Sequence, residues 1–352
     1  MTIQQLFHEK QIDAILLWNK SEIFWATGQT VKDSCLIVFP HRNVLITPEA
    51  LDFGRGDMEN RVYGEYGFEA CENPVENIYQ AIRQVLSGKT VIGITKNLKA
   101  MQVELQGLNL SLVDVSKEIE TAMMCKPGRH IEQMRNSIQL NDEAFSEIRR
   151  TLKPGMTELE VRSIVQQSYE RMAGRLLETN GDYLSGLRTT EIAGEPTAKK
   201  LMRGETLIVD IQVTDKGAAA DTTRTFLLGK PSEEAAKAYQ AVAQALLEME
   251  HFLRPGLTGG EIYQKLSGML RKAAGRELPH HAGHGVGYRW YEPPFLISSE
   301  TRKIQPGMIL AIEPGIYQEH FGIRLENNFL ITENGCENLC TCPLDMEWAT
   351  VG

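Results

Sequence analysis

The sequence predicts an α+β protein. Its larger, C-terminal part is a duplicated helix-helix-hairpin unit, and a smaller α/β domain precedes it. Three observations carry that prediction. The stretch LKPGMTELEV at Leu152–Val161 recurs as LRPGLTGGEI at Leu253–Ile262, an offset of 101 residues. The pattern Leu201-x-x-Gly204-x-x-Leu207-x-Val209-Asp210 recurs as Ile304-x-x-Gly307-x-x-Leu310-x-Ile312-Glu313, an offset of 103. Self-similarity at a nearly constant spacing is the mark of a repeated structural unit. Finally, residues 1 to 120 or so alternate short apolar runs with helical periodicity, as an α/β domain does.

In chain order, Ile12–Trp18, Cys35–Phe39, Val44–Thr47, Thr90–Thr95 and Leu112–Val115 are apolar or β-branched runs bounded by turn residues, and are expected to be strands. Asn77–Leu86 has helical spacing and stops before Ser87-Gly88. Lys126-Pro127-Gly128 breaks the chain, and Ile131–Leu152 then carries apolar residues at helical intervals. The boundary falls between Thr121 and Arg129, giving domains at residues 1–122 and 123–352. Thr157 with Glu160 has capping-box spacing and opens a helix through about Met172.

Composition excludes several classes. Net charge is −9 with a pI near 5.5, which disfavours nucleic-acid and anionic-membrane partners. No stretch reaches the ~18 apolar residues of a membrane span, and MTIQQLFHEKQID lacks a signal-peptide pattern. Six cysteines in 352 residues suit a reducing compartment, so a cytoplasmic location is expected. The spacing C-x3-C-x-C at Cys336, Cys340 and Cys342 has no second half, and plain thiols are expected there.

The chemistry centres on Leu207–Phe226, LIVDIQVTDKGAAADTTRTF. Asp210 sits in a β-branched run, where aspartate is depleted and an unpaired buried carboxylate is costly. Asp221 follows eleven residues later, beyond the turn residues Thr214-Asp215-Lys216-Gly217. A hairpin would bring the two acids together, and a cation between them would relieve their repulsion. Turn capping, or pairing with Arg224, is the plain alternative. The repeat weighs against it. Glu313 is the counterpart of Asp210, and Glu326 follows Glu313 by thirteen residues in Ile323-Arg324-Leu325-Glu326, so each half offers two strand-borne acids. Between them lies Pro279-His280-His281-Ala282-Gly283-His284-Gly285-Val286-Gly287, whose glycines permit close backbone approach. Four carboxylates and one imidazole can hold two divalent ions. Such an oxygen-rich shell suits Mn²⁺, Co²⁺ or Fe²⁺, with Zn²⁺ possible, and the chemistry such pairs support is hydrolysis.

At these residues the chain resembles the pita-bread metallopeptidases: Xaa-Pro dipeptidase (prolidase), aminopeptidase P and methionine aminopeptidase, with creatinase as a metal-free relative. The resemblance rests on Val209-Asp210, Asp221-x-Thr223-Arg224-Thr225, His280-x-x-Gly283-His284-Gly285-Val286-Gly287, Glu292-Pro293-Pro294, Pro306-Gly307-Met308, Glu313-Pro314-Gly315 and Gly322–Asn327. It implies a pita-bread catalytic domain with a pseudo-two-fold repeat, preceded by a creatinase-like N-terminal domain, the latter favouring the prolidase and aminopeptidase P branch. It further implies that Asp210 chelates one metal, Asp221 and Glu326 bridge both, and His284 and Glu313 bind the second. Glu313 would double as general base, with His284 beside it at the catalytic centre. His280, Tyr291 and Arg324 are expected to contact substrate, Arg324 by holding a carboxylate. Homodimers are common in this branch, so one is expected here.

Two departures qualify the likeness. The branch carries a histidine seven residues after the one matching His284, where this chain has Tyr291. It usually carries another seventeen residues before the acid matching Asp210, where this chain has Ala193. The expected function is cleavage of the N-terminal residue from Xaa-Pro dipeptides or short peptides. The alternatives are a same-fold hydrolase of a small non-peptide amide or amidine, and a binding module that lost catalysis.

Overall fold

The computed structural model describes residues 3–51, 56, 58–64, 74–95, 105 and 108–352. The chain forms two compact units, Met1–Met123 and Met124–Gly352.

The first unit is a six-stranded mixed sheet ordered β4-β3-β2-β1-β5-β6. Its strands are β1 (Ala14–Leu17), β2 (Cys35–Val38), β3 (Asn43–Thr47), β4 (Met58–Val62), β5 (Val91–Ile94) and β6 (Ser111–Asp114). The continuous apolar runs make β1, β2 and β3 its buried centre, as burial on both faces requires. Helix α3 (Pro74–Val85) packs Ile78, Ala81 and Ile82 into the same core. Four elements are not among those expected from the sequence: α1 (Ile3–Glu9), α2 (Lys20–Thr27), β4 and α4 (Ser116–Met124). The strand β4, MENRV, has no fully buried residue and is held by parallel pairing with β3, so tertiary context decides its conformation.

The second unit carries the repeat. Helices α5 (Gly128–Thr151) and α6 (Glu158–Ala173) are matched by α7 (Glu233–Phe252) and α8 (Gly259–Ala274). The equivalence reaches individual bonds. Thr157 and Glu160 form a capping box at α6, and Thr258 with Glu261 forms one at α8. The preceding turn glycines are both left-handed, Gly155 at φ 93° and Gly256 at φ 92°. Their amides donate to Leu201 O at 2.8 Å and Ile304 O at 3.0 Å, the residues that begin the second repeated motif.

Four strands form one sheet, ordered β17-β9-β8-β7: β7 (Glu178–Ser185), β8 (Thr206–Asp215), β9 (Ala218–Leu228) and β17 (Thr350–Val351). The expected hairpin is β8–β9. Its two-residue loop is Lys216-Gly217, both at positive φ (47° and 83°), the turn whose twist matches the flanking strands. A second sheet, ordered β11-β10-β12-β15-β16, contains β10 (Gly283–Gly285), β11 (Glu292–Phe295), β12 (Ile309–Ile312), β15 (Asn327–Ile331) and β16 (Cys336–Asn338). The ribbon β13 (Gly315–Tyr317)–β14 (Gly322–Arg324) stands apart from it.

Here one expectation is corrected. Glu313 and Glu326 are not in strands but in the breaks between them. The chain changes partners at both points. It passes from β12, paired with β10 and β15, to β13, paired with β14; it returns from β14 to β15. Pro314 has no amide to continue a ladder. Each glutamate is still fixed by a backbone bond, Glu313 N to Ala282 O at 3.1 Å and Glu326 N to Thr223 O at 3.0 Å.

Candidate metal centre

Alternation along the hairpin builds the first half of the site. Side chains two apart on a strand share a face. Gln212 lies opposite Asp221 and Thr223 opposite Asp210, so Asp210, Gln212, Asp221 and Thr223 share one face. The Gln212 amide donates to Asp210 Oδ1 at 3.2 Å and Asp221 Oδ1 at 3.0 Å, tying the two acids together. Thr223 Oγ1 donates to Glu326 Oε2 at 2.8 Å, which brings the fourth carboxylate of the set to this face.

The second half rests on close backbone packing at β10. A Cβ on Gly283 would lie 1.9 Å from Ala311 O, and one on Gly285 would lie 2.3 Å from Pro293 O. Only glycine permits strands β11 and β12 to press His284 in place from both sides. His284 Nδ1 bonds Gly285 O at 3.0 Å, which makes Nδ1 the protonated nitrogen and leaves a lone pair on Nε2. That Nε2 lies 3.7 Å from Asp221 Oδ2, 3.7 Å from Glu313 Oε1 and 4.0 Å from Glu326 Oε1. Asp210, Asp221, His284, Glu313 and Glu326 are all buried.

The charge balance is lopsided. Burial, with the neighbouring carboxylates of Glu326 and Asp210, pushes Asp221 well above the usual carboxylate range. Burial, Asp210 and Glu313 do the same to Glu326. Burial works to raise Glu313 too, but His281, with Nδ1 at 3.0 Å, leads the imidazoles that hold it down at about 2. His280 and His284 are themselves depressed by burial, so they stay neutral at pH 7. Two carboxylates that burial discourages from ionising, packed against a neutral imidazole with its lone pair turned inward, fit divalent cations. One ligand atom from each of Asp221, His284 and Glu326 lies within 4.8 Å of the others, as does one from each of His280, His281 and Glu313.

The remaining expected residues are placed as follows. Arg324 is 2 % exposed and donates from Nη2 to Asp210 Oδ2 at 2.9 Å, and from Nη1 to Ile192 O at 2.6 Å and Tyr317 Oη at 3.1 Å. Both Nη atoms are therefore engaged by a site carboxylate and the surrounding frame, while Nε has no hydrogen-bond partner among the described residues. His280 likewise spends both nitrogens, Nδ1 on His281 O at 2.7 Å and Nε2 on Tyr317 Oη at 3.0 Å. Tyr291 is 51 % exposed, its ring 4.6 Å from that of His284 and stacked 4.7 Å from that of Phe295. Ala193 is exposed, between Ile192, whose carbonyl binds Arg324, and Gly194, whose amide donates to Asp182 Oδ1 at 3.0 Å.

Sequence reasoning missed Gln212, Asp182, Tyr317 and His281. The first could have been found from its place two residues beyond Asp210. Asp182 pairs opposite Asp210 from β7, a register no local pattern gives. Burial and Asp210 raise it to about 6, against the Gly194 amide and Arg324.

Comparison with known proteins identifies the family. The sequence profile of metallopeptidase family M24 matches residues 132–333, the stretch that supplies all five buried ligand candidates. The chain belongs to metallopeptidase family M24. The creatinase/prolidase N-terminal domain profile matches residues 2–125, so both expected domain types are present. This M24 chain is 26% identical over 351 residues to an uncharacterized peptidase, YqhT, of Bacillus subtilis, covering 98% of each. It is 27% identical over 348 residues to an uncharacterized peptidase of Staphylococcus haemolyticus, covering 96% of each. Its fold is similar to that of prolidase from Pyrococcus furiosus, with TM-score 0.84 at 22% identity, covering 97% of this chain and 100% of that one. Xaa-Pro dipeptidase from Bacillus anthracis gives TM-score 0.84 at 23% identity, covering 97% of each. The protein is thus a metallopeptidase of a family that uses divalent ions. Among the described residues, no helix is long and apolar enough to cross a membrane.

Proposed function

We propose that this metallopeptidase is a dinuclear hydrolase that releases the N-terminal residue from Xaa-Pro dipeptides or short Xaa-Pro peptides. The observation that carries the proposal is the convergence of Asp221, Glu313 and Glu326 oxygens within 4.0 Å of His284 Nε2, with Asp210 tied to Asp221 through Gln212. Asp210, Asp221, His284, Glu313 and Glu326 would hold two ions, with Asp221 and Glu326 shared between them. When bound, such ions polarise a carbonyl and lower the pKa of water. Mn²⁺ or Co²⁺ suits the oxygen-rich donors, and Fe²⁺ or Zn²⁺ is compatible. The Glu313 carboxylate would take the proton of the attacking water and return it to the departing proline nitrogen. Fold similarity to prolidases and to an X-Pro aminopeptidase from Thermotoga maritima supports the choice of substrate.

A second reading, a hydrolase of a small non-peptide amide or amidine, is favoured by Ala193, Tyr291 and the commitment of Arg324 to Asp210. A turnover panel decides between them: Xaa-Pro dipeptides, longer Xaa-Pro peptides, ureas and guanidines, each with Mn²⁺ or Co²⁺. Hydrolysis confined to the Xaa-Pro substrates is expected. Turnover of ureas or guanidines alone would overturn the peptide assignment.

A further inference from the structure

His281 stands out among the groups that the proposed centre does not use. Its Nδ1 lies 3.0 Å from Glu313 Oε1, yet neither atom has a hydrogen-bond partner among the described residues, and both are buried. At that separation distance is adequate, so direction excludes the bond: the carboxylate oxygen lies off the in-plane axis of Nδ1. Two buried polar atoms side by side, each lacking a partner, are expensive unless a third group accepts both. A cation does so. Donors at ~2.1 Å from one ion and at right angles to each other, as in octahedral coordination, lie ~3.0 Å apart, and neither points directly at the other.

We propose that His281 Nδ1 is a ligand of the metal centre beside Glu313 Oε1, giving the site a second imidazole. The assignment rests on the dinuclear reading above. The backbone holds the pair in place, because the Ala282 carbonyl, next to His281, accepts the Glu313 amide at 3.1 Å and the Ala282 amide donates to Leu296 O at 2.8 Å. His280, although its ligand atoms fall in the same cluster, is not the donor, since both its nitrogens are occupied. The His281 ring also packs 5.4 Å from that of Tyr291 and 5.5 Å from that of His284, which places this imidazole in the wall of the site next to Tyr291. A chemical consequence follows from donor type. Imidazole suits Zn²⁺ and Fe²⁺, whereas an all-carboxylate shell suits Mn²⁺. A second nitrogen therefore tilts this centre toward Zn²⁺ or Fe²⁺ at one of its two positions.

The test compares wild-type protein with His281→Ala and His281→Asn, the latter retaining a polar side chain should the alanine variant fold poorly. Metal-free protein is titrated calorimetrically with Zn²⁺ and separately with Mn²⁺, and the visible absorption of the Co²⁺ form is recorded. Wild type is expected to bind two ions. Both variants should lose at least ~10-fold in Zn²⁺ affinity at one position, with a smaller loss for Mn²⁺, and the Co²⁺ bands should shift. Unchanged affinities and an unchanged Co²⁺ spectrum in both variants overturn the assignment and leave His281 as a mere neighbour of Glu313. If wild type itself takes up no ion, the dinuclear reading fails and carries the ligand assignment with it.

Discussion

Arg324 Nη2 lies 2.9 Å from Asp210 Oδ2, so this buried guanidinium fixes a proposed metal ligand. It also bonds Tyr317 Oη, which in turn meets His280 Nε2, linking the Asp210 side of the site to the His280 loop. Lysine would keep the charge but lose the fork that engages three acceptors at once. Arg324→Lys is therefore expected to weaken metal binding ~10–100-fold, as loss of an outer support does. KM at saturating metal should change little. Metal titration and steady-state kinetics check this; a raised KM with intact metal affinity would show that Arg324 binds substrate after all.

Asp221→Ala and Glu326→Ala are each expected to abolish turnover and weaken binding at both positions, because in the proposed dinuclear centre each carboxylate would be an anion shared between two cations. Asp215→Ala removes only a surface ion pair with Arg175 beside the hairpin turn. Exposed pairs of that kind contribute ~0–1 kcal/mol, so activity and metal content should match wild type. Metal analysis after reconstitution, with turnover on the same samples, gives the answer. Damage from Asp215→Ala equal to that from Asp221→Ala would contradict the register of the hairpin face.

Why the sequence disclosed some of this and not the rest has physical causes. The hairpin and the repeat were legible because strand alternation and turn chemistry are local: Asp210 and Asp221 on one face follow from a two-residue Lys216-Gly217 loop. Glu313 and Glu326 could be placed at the site by their symmetry with the first half, but not in their strand breaks, since a change of sheet partner is a tertiary event. The internal partners of Arg324 and His280 were not legible for a related reason. Whether a buried polar group faces a substrate or a neighbour depends on Tyr317 and Asp210, which lie 7 and 114 residues from Arg324. Cys340 and Cys342 are buried thiols, and the Cys342 carbonyl accepts from Arg224 Nη2 at 2.8 Å.

A separate prediction concerns stability. His130, on α5, accepts from Arg129 Nε at its Nε2 (3.1 Å), so its Nδ1–H faces Tyr288 Oη at 2.6 Å. Burial, with the Arg129 charge, lowers it from 6.5 to about 4. In the unfolded chain the imidazole protonates near 6.5, while in the folded protein it resists down to about 4. Between those values the unfolded state binds more protons, so stability falls as the pH falls; the contribution is complete above 6.5 and lost on approach to 4. His130→Gln is expected to cost about 1–3 kcal/mol at pH 7 through its weakened bonds. It should also flatten the decline of Tm between pH 7 and pH 5. Thermal denaturation across that range decides it, and parallel Tm profiles for the two proteins would count against a neutral His130.

The last prediction concerns Ala193 and Tyr291, where the resemblance leads one to expect imidazoles. Tyr291 is half-exposed at the rim, its ring against His284 and Phe295. Burial and Glu313 push its phenol above the ordinary value of 10, so it is neutral at pH 7 and can donate a hydrogen bond but not shuttle a proton. Ala193 offers no polar group, although its neighbours Ile192 and Gly194 contact Arg324 and Asp182. Proton-transfer assistance from a positioned side chain is worth ~10²–10⁴-fold, so Xaa-Pro dipeptides should turn over slowly in the wild-type protein. The double change Ala193→His with Tyr291→His is expected to raise that rate by at least ~10-fold and to add an imidazole-like step to the pH profile of kcat/KM. Both substitutions are at exposed positions, so folding should tolerate them. Rapid wild-type turnover that the double change slows would instead give Tyr291 a catalytic contribution of its own, through its hydroxyl and its stacking on His284.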